Sequence, residues 1–205
     1  MWGDDMKIKI ITPPTVEPLT RAEAKQHMGI SYTHNDTLVD SAIKQAREYC
    51  EGYQRRKFVT QTLELYLDRF PPCGKIEFLD CSPVQSITSI KYTDKDGTEH
   101  TINSSDYSLD NVSFVNKIDL AYGKTWPTDE LKPTNGVVVN FIAGYPTTTE
   151  GEGEEEVTIA QVPESVKWAM AFHIKSIYDT HTPQERQDLE RVRDIFLKMD
   201  RVMLV

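Results

Sequence analysis

The sequence predicts an α+β fold: a helical bundle formed by N- and C-terminal helices with an inserted antiparallel β unit. Three observations carry this expectation. Residues 36–56 form a strongly amphipathic helical pattern, and helical patterning returns only after Pro163. Between them, residues 58–146 alternate with a period of two or run rich in β-branched residues. Turn residues such as Pro71, Pro72, Gly74 and Gly97 punctuate that middle third.

Taken in order, Lys7 to Ile11 alternates weakly and reads as a short strand or an extended arm. Pro13, Pro14 and Pro18 forbid a helix before Leu19. Thr20-Arg21-Ala22-Glu23 is a capping box, opening a short helix that Gly29 ends. The next helix starts at Asn35 or Asp36, either of which can cap it, and spans about 30 Å at a rise of about 1.5 Å per residue. Its Leu38, Val39, Ala42, Ile43, Ala46, Tyr49, Cys50 and Tyr53 share a sector of roughly 140°. Asp40, Lys44, Arg47, Glu48, Glu51 and Arg55 fill the other side.

Strands are expected at Thr60–Arg69, Ile76–Leu79, Val84–Thr93, Thr98–Ile102, Tyr107–Leu109, Ser113–Val115, Lys117–Leu120 and Val137–Ala143. Asp94-Lys95-Asp96-Gly97 predicts a hairpin turn. The stretch Thr147–Glu156, TTTEGEGEEE, holds five glutamates and two glycines. It reads as a mobile acidic loop, either a solvated linker or a charged tongue projecting towards a partner.

Pro163 suits a helix start. Over Glu164–Thr180, Val166, Met170, Ile174, Ile177 and Tyr178 make one apolar stripe, and Trp168, Ala169 and Phe172 make a second. A helix apolar on two sides is usually covered on two sides, and the helix at 36–56 is one expected cover. A second capping box at Thr182–Glu185 opens a last helix, with Leu189, Val192, Phe196, Met199 and Met203 on one face. The expected organisation is therefore an extended arm (1–18), a helical bundle (19–57 and 163–205), a β domain (58–146) and an acidic mobile loop (147–162).

Composition limits function. The net charge of −9 argues against binding nucleic acid by phosphate neutralisation, though not against letting DNA pass. No apolar run approaches the roughly 20 residues a membrane helix needs, and no secretory signal is visible. Cys50, Cys73 and Cys81 fit no zinc spacing and read as reduced structural thiols. Among His27, His34, His100, His173 and His181 there is no metal spacing; His173 reads as a core or interface histidine, and His34 belongs to a capping loop. There is no nucleophile elbow and no phosphate-binding glycine loop. The run DKDGTE lacks most ligands of a calcium loop. Tyr122, Trp126 and Tyr145 would suit stacking on sugars, but plugging a β core or anchoring a protein contact is the plainer role. No catalytic residue, cofactor or metal ligand emerges.

The chain resembles the head–tail connector (head-completion or adaptor) proteins of tailed bacteriophages, in a longer branch with a β insertion. The resembling segments occur in the family's order over roughly residues 10–180: ITPPTVEPLTRAEAKQHMGI, the AREYCEGYQRR helix end, TQTLELYLDRFP, SPVQSITSIKYTDKDGTEHTINSSDY, AYGKTWP, VVVNFIAGYP and VPESVKWAMAFHIKSIYD. The GEGEEE stretch and the final helix fit the pattern less well. The resemblance implies a structural, non-enzymatic protein, assembled in the host cytoplasm and residing in the virion neck. It implies a ring of about a dozen copies at the portal vertex, bridging capsid and tail and continuing the DNA channel. Its implied partners are other copies of itself, with the portal as a possible template, the portal protein, and tail or neck proteins. DNA would pass without sequence-specific binding, and no membrane is involved. A ring subunit needs two unlike contact surfaces, so Trp168 and Phe172 are expected at or near a subunit interface. Other readings are a different neck or tail-completion protein, a β-sandwich ligand-binding module, and an enzyme with dispersed carboxylates.

Overall fold

The computed structural model describes residues 7–29, 36–150, 157–178 and 182–202. The chain divides into two compact units: Met1–Pro13 with Thr60–Gly144, and Pro14–Val59 with Tyr145–Val205.

The first unit is all β. Strand β1 (Lys7–Thr12) pairs antiparallel with β2 (Gln61–Leu67). After β3 (Lys75–Glu77) comes a hairpin of β4 (Val84–Thr93) and β5 (Glu99–Thr101). Then follow β6 (Tyr107–Asp110), β7 (Lys117–Leu120) and β8 (Val137–Ala143). One sheet has the order β1-β2-β8-β4-β5 and a second the order β3-β7-β6. Alternation explains the core. Leu63, Leu65 and Leu67 stand opposite Phe141, Val139 and Val137 in register, and all six are buried. Ile76, Phe78 and Ile118 join the same apolar cluster, with the Phe78 and Phe141 rings 4.8 Å apart.

A buried polar clasp fastens this unit. Asn116 Oδ1 accepts from Val84 N at 2.6 Å, and Ser82 Oγ accepts from Asn116 N at 3.1 Å. No strand forms at 113–115. Instead the Asp110 carboxylate accepts from Val112 N, Ser113 N and Ser113 Oγ and folds the chain into a turn. Those hydrogen bonds hold its pKa down to about 2. The DKDGTE stretch is a turn too: Asp94 Oδ1 accepts from Asp96 N and Thr98 N, and Gly97 has φ +86°.

The second unit holds helices α1 (Arg21–Met28), α2 (Asp36–Gln54), α3 (Glu164–Tyr178) and α4 (Pro183–Lys198). It also holds a hairpin of β9 (Thr147–Glu150) and β10 (Val157–Ala160). The reciprocal capping box of Thr20 and Glu23 starts α1, and Gly29 ends it at φ +70°. Thr182 caps α4 by accepting from Glu185 N at 3.2 Å. Asp36 pairs with Arg21 and Lys25 and so ties the start of α2 to α1. Asn35, His34, His181, Met203 and the GEGEEE glutamates at 152 and 154–156 lie outside the described residues.

The expected fold class is corrected here. The helices do not make a bundle alone, and the β part is not simply an insertion between them. The chain has four helices and ten strands in three antiparallel sheets among the described residues. The β unit begins before the first helix, because β1 supplies the edge partner of β2 and leans Ile8 on that core. The helical core is completed by non-helical residues: Phe58, Val59, Ala160 and Val162 share one cluster with Val39, Ile43, Met170 and Ile174. The stretch expected as a loop over 147–162 has paired strands at both ends.

Candidate subunit interface

Helix α3 sits between the other helices and sorts its side chains three ways. Val166, Met170 and Ile174 enter the core, as does Ala169 from the expected second stripe. His173 faces a polar cluster within the unit. Trp168 remains 44% exposed and Phe172 half-buried.

The aromatic side chains form a chain of contacts across three helices. The His27 ring of α1 meets Trp168 edge-on, with centroids 4.7 Å apart. Trp168 lies 5.9 Å from Phe172, and Phe172 stacks on Phe196 of α4 at 6.0 Å. From Phe196 the apolar surface continues along α4 through Val192, Ile195 (58% exposed) and Met199 (72% exposed). These residues occupy one continuous arc of the helix, at spacings of three and four. Of the apolar face expected to bury α4, Leu189 and Phe196 are partly buried, whereas Val192 and Met199 are exposed. Arg193 and Leu197 turn inward instead.

The reason lies in a buried polar cluster. His173 Nδ1 is 2.8 Å from Arg193 Nη1, and its Nε2 is 3.0 Å from Gln45 Oε1. Arginine can only donate, so Nδ1 accepts and Nε2 carries the proton donated to Gln45. The Tyr49 ring stacks on His173 at 4.3 Å, and the Arg193 guanidinium sits 4.4 Å from the Tyr49 centroid. Burial, and then the adjacent Arg193 charge, pull the His173 pKa down to about 4. This arrangement fixes the rotation of α4 and leaves Val192, Ile195 and Met199 outside.

Periodicity places a second network on the solvent side of α2, but the structure buries it. Arg47 and Glu51 of α2 are both buried. Arg47 Nε donates to Glu17 at 2.7 Å, and Glu51 Oε1 accepts from Phe58 N at 2.8 Å. Periodicity counts apolar residues and so cannot find a buried ion pair. The only signal available was position, since Glu51 lies one turn after Arg47 and just before the chain leaves the helix.

The other residues singled out by sequence fall elsewhere. Trp126 stacks on Phe70 at 4.9 Å in the β unit, Tyr122 stands clear in solvent, and Tyr145 lies 6.0 Å from the Arg56 guanidinium. His100 meets Asp94 at 2.9 Å. Cys50 and Cys81 are buried and Cys73 is exposed; burial pushes the Cys50 thiol up to about 12. No group of three or more possible metal ligands occurs among the described residues, and none of their helices is long and apolar enough to cross a membrane.

Residues 20–120 match the family model described as phage gp6-like head-tail connector protein. Over that segment, just under half of its length, the chain is similar to phage head–tail connector proteins. Solved structures with the same fold extend the likeness beyond the matched segment. A chain from the neck of an empty gene transfer agent particle, computed with C6 symmetry, superposes with a TM-score of 0.71 at 17% identity, covering 97% of both chains. A chain from the virion of a native gene transfer agent particle gives 0.70 at 17%, covering 97% of this chain and 96% of that one. A chain from the native particle's neck, computed with C12 symmetry, gives 0.68 at 17%, covering 97% of both. No curated protein sequence matches the chain.

Proposed function

We propose that copies of this chain close into a ring of about a dozen at the portal vertex of a virion neck, with Trp168 and Phe172 at or near the contact between neighbours. The ring bridges capsid and tail, continues the DNA channel, and meets the portal protein on one side and a neck or tail protein on the other. The protein acts by contact and carries out no reaction. It assembles in the host cytoplasm. The net charge of −9 suits a channel that repels phosphate, so that DNA slides without sticking.

One observation carries the reading. The surface running from Trp168 through the half-buried Phe172 and Phe196 to Ile195 and Met199 is apolar and continuous, and it is exposed at Trp168, Ile195 and Met199. Such patches on soluble proteins mark interaction sites. Trp168→Asp and Ile195→Asp both change exposed positions, so the fold should survive, as a far-UV spectrum and a cooperative melt would verify. Analytical ultracentrifugation of the full chain should show self-association weakened about tenfold or more in each variant. Folded variants that associate like the parent protein would refute the assignment.

A further inference from the structure

The loop between β6 and β7 carries apolar side chains into solvent. Val112 is 92% exposed and Phe114 50%, and Val112 is the most exposed large aliphatic side chain among the described residues. A turn with no partner is ordinarily built from polar residues, because apolar groups left in water add nothing to stability. The loop is also held in one shape. The three hydrogen bonds that the Asp110 carboxylate accepts fix its first half, and Asn116 Nδ2 donates to Ser113 O at 2.9 Å and fixes its second. Asn116 itself is buried and anchored to Ser82 and Val84. A rigid apolar tip loses little entropy on docking, which is what a contact element needs.

Charge points to the surface that receives it. In the sheet β3-β7-β6, Glu77, Lys117 and Asp110 stand in one row at the base of the tip. The exposed Asp80 lies just beyond, two residues after Phe78, whose N donates to Asn116 O at 2.9 Å. Three carboxylates against one lysine give the tip an acidic collar. The apolar surface of α3 and α4 has the opposite rim. Arg191 and Lys198, both exposed, lie four residues before and three after Ile195 and so border its arc of α4. Asp188, 3.9 Å from Arg191, offsets part of that charge. A ring contact joins two unlike surfaces, and these two are apolar at the centre and opposite in charge at the rim. We infer that the Val112–Phe114 tip of one copy docks on the Trp168, Ile195 and Met199 surface of the next. The inference rests on the ring reading and names the second half of its contact.

Cross-linking tests it in the full chain carrying Cys73→Ser, which removes the exposed thiol. Val112→Cys and Ile195→Cys are placed in separate chains, mixed in equal amounts and treated with a short bis-maleimide. The mixture should give a covalent dimer whose linked peptides join positions 112 and 195, and neither variant alone should give more dimer than the Cys73→Ser chain. With both cysteines in one chain, the product should be a ladder of multimers. In parallel, Val112→Asp should weaken self-association about tenfold. Self-association that is lost in Trp168→Asp but unchanged in Val112→Asp, with no link between 112 and 195, gives the α3 and α4 surface another counterpart; it overturns this inference and leaves the ring reading standing. Links within a single chain, or between two copies of position 112, also overturn it. A parent protein that stays monomeric at every concentration removes the ring reading and this inference together.

Discussion

His173 shows how one side chain can set the orientation of a helix. Its two ring nitrogens are both engaged, one accepting from Arg193 and the other donating to Gln45, and only the neutral ring can do both. Its folded pKa of about 4 lies below the ordinary value of 6.5. Between those values the unfolded chain binds a proton that the folded chain refuses, so stability falls as pH drops from about 6.5 towards 4. Above that window both states are neutral and the effect vanishes. Carboxylates add their own losses at the acid end, so the informative comparison is with His173→Gln. Melting temperatures measured from pH 8 to pH 5 should fall more steeply for the parent protein than for the variant. Parallel curves would show that the ring does not carry the pH dependence. The histidine was readable from sequence as a core or interface residue, whereas its arginine partner, 20 positions away on a helix of polar appearance, was not.

At the scale of elements, the expected helices formed close to where periodicity and caps put them, the strand expected at 113–115 is a turn, strands formed at 147–150 and 157–160 where a loop was expected, and the misreadings within helices share a cause. A period counts apolar residues and assumes that charged ones face water. Helix α2 breaks the assumption with Arg47 and Glu51, and α4 breaks it with Arg193. Arg47 meets Glu17 and Arg193 meets His173, 30 and 20 positions away, whereas the partners of Glu51 are its neighbours in sequence. The Glu51 carboxylate joins Arg47 at 3.5 Å, Lys57 at 3.5 Å and the backbone of Phe58 at 2.8 Å, so it fastens α2 to the segment that leaves it. Glu51→Ala leaves Phe58 N without its acceptor and removes one of the partners of Arg47. Breaking a buried pair from one side costs about 3–5 kcal/mol. Urea unfolding of the variant should show the free energy of unfolding lowered by that amount, read as a lower midpoint with the denaturant dependence unchanged. A loss below about 1 kcal/mol, the range of a surface pair, would show that the network contributes no more than exposed charges do.

For the whole molecule, the connection between chain order and architecture was the hardest part to read. The sequence shows helices at both ends and strands between them, which suggests an insertion. It does not show that residues 7–12 return to the sheet, because six weakly alternating residues carry no signal of their partner. Nor does it show that the helical core recruits Ala160 and Val162 from beside an acidic stretch. The uncovered aromatic surface was half legible: Trp168 and Phe172 stood out as a second stripe, but the open face of α4 depends on the Arg193 anchor. The two units nevertheless have a testable independence. Val59 and Tyr145 are bridge partners, so the points where the chain leaves and re-enters the helical unit are adjacent. Joining them through about three glycine or serine residues closes a short loop at little entropic cost. A chain of Pro14–Val59 joined to Tyr145–Val205 retains the whole apolar cluster around Val39, Ile43, Met170 and Leu197. It should therefore give a helical far-UV spectrum and melt cooperatively. A non-cooperative melt would mean that the helical cluster cannot hold its fold without the β unit.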